Sequence, residues 1–338
     1  MYMFKYILKR LGLLLMTFSI IMIICFVLIK LLPVVINVPI GKDYDILYAQ
    51  LEGRGYFDPI PVQFLNYLKR IFVHGDLGVI VNLPEYRNQP VWDVFVKQLP
   101  PTILINIYSS LIAVPIGIAL GIFAALKKNK WQDHVISTGV MVCISVPSFV
   151  YAFLVQFILC FLLGLLPLTM NAGFDYFTWD MFKSMLPAVI CLSFGSIAGY
   201  ARYTRAELTE VLTSEFMLLA RTKGLTKAQA TTRHALRNAM VPIFPSIIGE
   251  FISVMSGSLI IEKIFSIPGV GGLYLSAINN QDYDSFMMLS GFYILIGLLA
   301  GIVIDISYGI IDPRIRMGRS NNETKWLQYF KWKICFSW

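Results

Sequence analysis

His74, His134 and His234 are spread along the sequence, and no H-E-x-x-H or Cys/His cluster offers the ligand spacing of a zinc site. Of the five cysteines, Cys25, Cys143, Cys160 and Cys191 lie inside long apolar runs. Their spacings match no metal or redox motif, so they read as small buried hydrophobes. No G-x-x-x-x-G-K-[ST] stretch occurs, so the chain has no P-loop to hold nucleotide. Pro268-Gly-Val-Gly-Gly272 lacks the strand and lysine of a phosphate loop and reads as a tight turn. There is no G-x-S-x-G either. Glu250 and Asp305 sit within apolar segments and invite comparison with an intramembrane acid pair. A hydrolase needs a nucleophile and a base placed together, and no such pair is legible. No catalytic residue and no metal ligand is expected, so any work the chain does draws on an outside energy source or is passive.

The elements explain why. Apolar residues make up 57% of the 338, and charged residues only 14%, against about 25% in soluble domains. Mean hydropathy is +0.68. This excludes a disordered chain and a disulfide scaffold and predicts a membrane protein. A crossing helix needs about 20 apolar residues. Six segments qualify: 11–29, 99–126, 135–174, 184–201, 238–261 and 285–311. The third is too long for one simple span and predicts a long or tilted helix with an outer turn near Leu166-Pro167. The first follows Lys5, Lys9 and Arg10 but is long for a signal peptide and has no A-x-A-like site after it, so it reads as a retained span.

Net charge is +8. With the N-terminus inside, segments 1–10, 127–134, 202–237 and 312–338 carry 19 of the 28 basic residues. The positive-inside rule then predicts N-in, C-in topology, and the basic excess reports orientation rather than nucleic-acid binding. The domains read as 1–33 (N-terminal segment and first span), 34–98 (outer loop region, with a short helix around Pro61–Phe72) and 99–311 (five-span core). A basic, aromatic tail follows at 312–338.

The inner loop 202–237 is the most informative stretch. Leu212, Phe216, Leu219 and Ala220 share one helix face. Ser214 can cap that helix with Glu215 in its first turn, and Gly224 suits its end. Thr226 and Gln229 form a T-x-x-Q capping box for a second helix. The first helix is about ten residues, hence roughly 15 Å long. Three roles compete: an amphipathic loop on lipid headgroups, a DNA-reading helix-turn-helix, and a docking lever for a cytoplasmic partner. Both loop ends are tied to membrane spans, which suits DNA reading poorly.

Glu215-Phe-Met-Leu-Leu-Ala-Arg-Thr-Lys-Gly224 followed by His234-Ala-Leu-Arg-Asn-Ala-Met-Val-Pro242 resembles the conserved cytoplasmic loop of ABC-importer permeases, of the oligopeptide/dipeptide/nickel family. Further matches are Lys9-Arg10, Gly75-Asp-Leu-Gly78, Gly121 to Lys128 with Trp131 and Asp133, and Ser145-Val-Pro-Ser148. Ala201-Arg-Tyr-Thr-Arg205, Glu262 to Gly269 and Asp312-Pro-Arg-Ile-Arg316 complete them. The pattern is most similar to the B-type oligopeptide permeases, while the tail after Gly318 departs from it.

The resemblance implies an all-α, six-span permease of the type I importer fold in a bacterial cell membrane. It would form half of an oligopeptide pathway. Expected partners are a second, homologous permease, two cytoplasmic ATPases supplying ATP and Mg chemistry, an extracellular substrate-binding protein, and lipid. No cofactor is expected in this chain. Ser214, Glu215, Phe216, Ala220, Arg221, Lys223 and Gly224 would make the ATPase-coupling element, with Ala220 and Gly224 as contacts. His234 is expected to pack the loop. Glu250 would face either the substrate path or the second permease, because a lone charge at the bilayer centre costs about 2.5–3.5 kcal/mol. Asp305 is expected in a local salt bridge. Pro115 and Pro147 interrupt spans and are hinge candidates, and Pro268 and Gly269 would border an outer gate. Gly117-x-x-x-Gly121 and Gly195-x-x-x-Gly199 are expected to pack within the chain. Alternatives are a dipeptide, glutathione or nickel permease and, in another class, a passive channel or membrane scaffold.

Overall fold

A computed structural model describes residues 2–32, 42–53, 55–171, 173 and 175–311. The 312–338 tail, with its Asp312–Arg316 motif, lies outside those residues. The described chain is helical, with one isolated bridge between Val79 and Pro90. Helix α1 covers Tyr2–Lys30. α2 (Lys42–Gly53) and α3 (Ile60–His74) follow, then α4 (Val91–Leu126). α3 fulfils the outer-loop helix expectation and ends at Gly75 with φ +63. Next come α5 (Trp131–Ser145), α6 (Ser148–Val155) and α7 (Trp179–Leu212). The inner loop holds α8 (Glu215–Thr222) and α9 (Lys227–Ala230), and α10 (Leu236–Ser253), α11 (Leu259–Ile264), α12 (Val270–Asn279) and α13 (Tyr283–Ile311) complete the order.

α4 and α7 cross at the centre. Gly117 and Gly121 let the backbones touch: a Cβ on Gly121 would lie 2.6 Å from Thr204 Cβ and 2.7 Å from the Ala201 carbonyl. A Cβ on Gly117 would lie 2.7 Å from Tyr200 Cβ. This pair packs within the chain, as expected. Gly195 and Gly199 do not, because a Cβ on either meets nothing within 4 Å.

Among the described residues, four helices are long and apolar enough to cross a membrane: Leu8–Lys30, α4, α7 and α13. A fifth arises if α5 and the helix Ser148–Leu162, bent by 100° at the break, count as one span. The expected single long helix is therefore broken. Val146 is extended, as a residue before proline prefers, and Pro147 starts the next helix. The Tyr151 hydroxyl meets the freed carbonyls of Cys143 and Val146. Pro115, by contrast, lies inside an unbroken α4. The expected span 238–261 is broken too. α10 ends at Ser253, a 3-10 turn spans Val254–Ser256, and Gly257 turns the chain at φ +63 into α11.

Residues 55–90 pack onto the end of α1 and the start of α13. Phe26, Tyr56, Val81, Tyr283 and Met287 share one core cluster. Asp284 takes both Arg70 NH groups, at 2.5 and 3.0 Å. Burial acts to lower the Arg70 pKa, and the bonds and charge of Asp284 outweigh it and leave it raised. Asp282 accepts from the Val81 and Asn82 amides, each at 2.7 Å. Lys30 Nζ lies 3.9 Å from the Tyr56 ring centroid and 4.1 Å from that of Tyr283.

Candidate functional site

α8 forms where its residues predict a helix. Ser214 occupies the N-cap position in extended conformation, but its hydroxyl donates back to the Val211 carbonyl at 2.6 Å instead of capping forward. Glu215 in the first turn suits the positive helix start. Gly224, at φ +89, makes the left-handed turn that ends the helix. The capping box is complete: the Gln229 amide donates to Thr226 Oγ1, and the Thr226 amide donates to Gln229 Oε1. The second helix continues through a π-helical stretch, Thr231–Ala235, directly into α10. Pro242 falls inside α10.

The face that α8 buries is not the one its spacing predicts. Met217 and Ala220 point inward, against Ala125, Leu208, Ala230, Ala235 and Ala239. Phe216, Leu218 and Leu219 are exposed at 41%, 66% and 55%. The turn at Thr213-Ser214 breaks the register that links Leu212 to Phe216, so the two helices do not share one face. Ala220 is therefore an internal packing residue. Glu215, Arg221, Lys223 and Gly224 are exposed, and a Cβ on Gly224 would meet nothing within 4 Å. The result is an apolar knob rimmed by charge, on a helix that four alanines and a leucine anchor from behind. His234, expected to pack the loop, exposes its side chain, and its carbonyl accepts from Asn238 Nδ2.

Within the apolar segments, Glu250 accepts a hydrogen bond from Ser196 Oγ of α7 at 2.9 Å. Asp305 pairs with Arg10 of α1 at 2.8 Å, the local salt bridge expected for it. The outer turn is built around Glu262. It is 3% exposed and accepts from Thr102 Oγ1 at 3.0 Å and from the Gly272 amide at 3.1 Å. Thr102 Oγ1 in turn accepts from the Val270 amide at 2.9 Å. Gly269 precedes α12, and a Cβ there would lie 2.4 Å from Glu262 Oε2. Gly269 is thus part of a packed polar knot between α4, α11 and α12, while Pro268 beside it is exposed.

Two residues that sequence reading passed over as motif members form a bond across the inner end. Asp133, in the first turn of α5, is 1% exposed and takes Arg205 Nε at 2.5 Å and a second guanidinium NH at 2.8 Å. Their separation of 72 residues left no local signal for the pairing.

Comparison with known proteins gives concordant results. The family described as binding-protein-dependent transport system inner membrane component matches residues 117–317. The chain is 33% identical over 318 residues to the dipeptide transport system permease protein DppB of Lactococcus lactis, covering 93% of this chain and 100% of that protein. It is 32% identical over 320 residues to DppB of Bacillus subtilis, covering 93% and 99%. With the oligopeptide transport system permease protein OppB of Escherichia coli K12 it shares 32% over 321 residues, covering 93% and 100%.

Proposed function

The chain belongs to the family of binding-protein-dependent transport system inner membrane components, and from that membership we propose that it is the permease subunit of an ATP-driven peptide importer. The observation that carries the reading is α8. It presents Phe216, Leu218 and Leu219 outward from an inner loop and is seated on the bundle by Met217 and Ala220. An apolar cluster of this kind on a short, fixed helix suits a groove on a cytoplasmic partner. One of two ATPase subunits would dock there, with ATP and Mg bound in them. A second, similar permease would close the pathway, and an extracellular binding protein would deliver substrate. In this reading the chain is a multi-pass protein of the bacterial inner membrane with six spans, N-in and C-in, of the type I importer fold. The α10–α11 segment supplies the sixth crossing. The chain does no bond chemistry itself.

Similarity to dipeptide and oligopeptide permeases supports peptides as the substrate class, and the near-equal identities leave peptide length to the binding protein. Glu250 is kept as a substrate-path residue, held toward α7 by Ser196. A carboxylate there suits the ammonium of a peptide.

Affinity purification in mild detergent, with mass spectrometry of the captured proteins, tests the function. A second permease and P-loop ATPases are expected with the wild-type chain. Leu218→Asp with Leu219→Asp should retain the second permease and bring down less ATPase. A stable wild-type complex lacking any ATPase would overturn the importer and return the chain to the channel or scaffold class.

A further inference from the structure

We propose that the Asp133–Arg205 pair is a strut that carries movement of α8 into α5, and so into the bent α5–α6 arm. The inference rests on the importer reading above and adds the route within this chain.

α8 has direct purchase on two long helices. Met217 and Ala220 pack on Leu208 of α7 and Ala125 of α4, and those helices are already locked together at Gly121. Helix α5 is connected to this block differently. It follows α4 through the turn 127–130, in which Asn129 takes φ +63. Asp133 joins that turn to α7. One carboxylate oxygen accepts from Arg205 Nε at 2.5 Å and from Ser137 Oγ at 3.3 Å. The other accepts from the second Arg205 nitrogen at 2.8 Å and from the Asn129 amide at 2.9 Å. Turn, helix start and α7 therefore meet on one carboxyl group. Arg205 precedes Leu208 by three residues, about 4.5 Å along the axis, so the strut attaches one turn above the surface on which α8 sits.

A fork-on-carboxylate contact fixes direction as well as distance, which a greasy contact does not. Because Asp133 is buried and fully used, α5 cannot slide along α7 without breaking several charge-assisted bonds at once. Displacement of α8 therefore moves α7 and the inner end of α5 as one body. The slack lies farther up, at Val146-Pro147, where the arm bends by 100°. The geometry makes Asp133 and Arg205 positioning residues: neither touches substrate or nucleotide.

The test uses inverted and right-side-out membrane vesicles from cells making the complete importer. Uptake of labelled dialanine and trialanine and ATP hydrolysis are measured on the same preparations. Asp133→Asn removes the charge at constant shape. Arg205→Lys keeps the charge and loses the fork. Both variants are expected to retain ATPase subunits and hydrolysis, and to transport about two- to thirty-fold less peptide per ATP, the range that coupling changes of this kind span. Ser137→Ala, which removes one peripheral donor, should leave that ratio near wild type. If uptake and hydrolysis fall together with chain abundance, the ratio holds and the pair is merely structural, which overturns the strut. An unchanged ratio in Arg205→Lys with normal abundance overturns it as well. Wild-type vesicles lacking ATP-dependent uptake of either peptide would overturn the importer reading, and the strut with it.

Discussion

Glu262 occupies a space that only glycine backbone leaves open. A Cβ on Gly257, Gly269 or Gly271 would lie 2.4, 2.4 or 2.8 Å from its carboxyl oxygens. Its hydrogen bonds to Thr102 and the Gly272 amide hold the α11–α12 turn against α4. Glu262→Ala removes the acceptor that Thr102 and the Gly272 amide share, and should lower the thermal midpoint of the purified protein. An unchanged midpoint would contradict a knot held by Glu262.

Helix α8 shows how a short element is specified from both ends and read from the middle. Its ends are local: Glu215 opens it, and Gly224 closes it in a conformation that costs other residues roughly 1–2 kcal/mol. No atom obstructs a side chain at Gly224, so the effect of substitution is backbone strain and not collision. Gly224→Ala should transport at close to the wild-type rate. Gly224→Val, β-branched in a left-handed turn, should keep ATP hydrolysis and lose most peptide uptake, because the helix seats at a different angle. Normal coupled uptake in Gly224→Val, measured in the same vesicles, would count against docking by α8. The middle of the helix obeys tertiary packing. Met217 and Ala220 face alanines contributed by α4, α9 and α10, and the larger apolar side chains are left outside. Pro147 and Pro115 differ for a similar reason. One has a tyrosine hydroxyl at its freed carbonyls and breaks the helix, and the other sits where α4 runs on through it.

For the molecule as a whole, the polar links sort by end. Arg70–Asp284 and the Lys30 aromatic contacts lie with the outer loop, and Arg205–Asp133 lies with the inner one. With N-in orientation, a single cysteine placed at Phe72, 82% exposed, in a variant whose native cysteines are replaced should react with an impermeant maleimide on intact cells. A cysteine at Leu218 should react only after the membrane is opened. The reverse pattern would invert the topology. Much of this is written in the sequence. Hydropathy marks helices long and apolar enough to cross a membrane, and the capping box and Gly224 place the helices of the 202–237 loop. These are signals read over neighbouring residues or over composition, and they need no knowledge of what lies across the bundle. The structure alone decided which face of α8 is free, that 135–174 and 238–261 are broken, and that Gly117-x-x-x-Gly121 packs while Gly195-x-x-x-Gly199 stays open. It also brought Asp133 to Arg205, and Thr102 to Glu262 across 160 residues. Those outcomes depend on side chains from distant segments competing for the same space and the same hydrogen bonds, and no local pattern encodes which of them arrives.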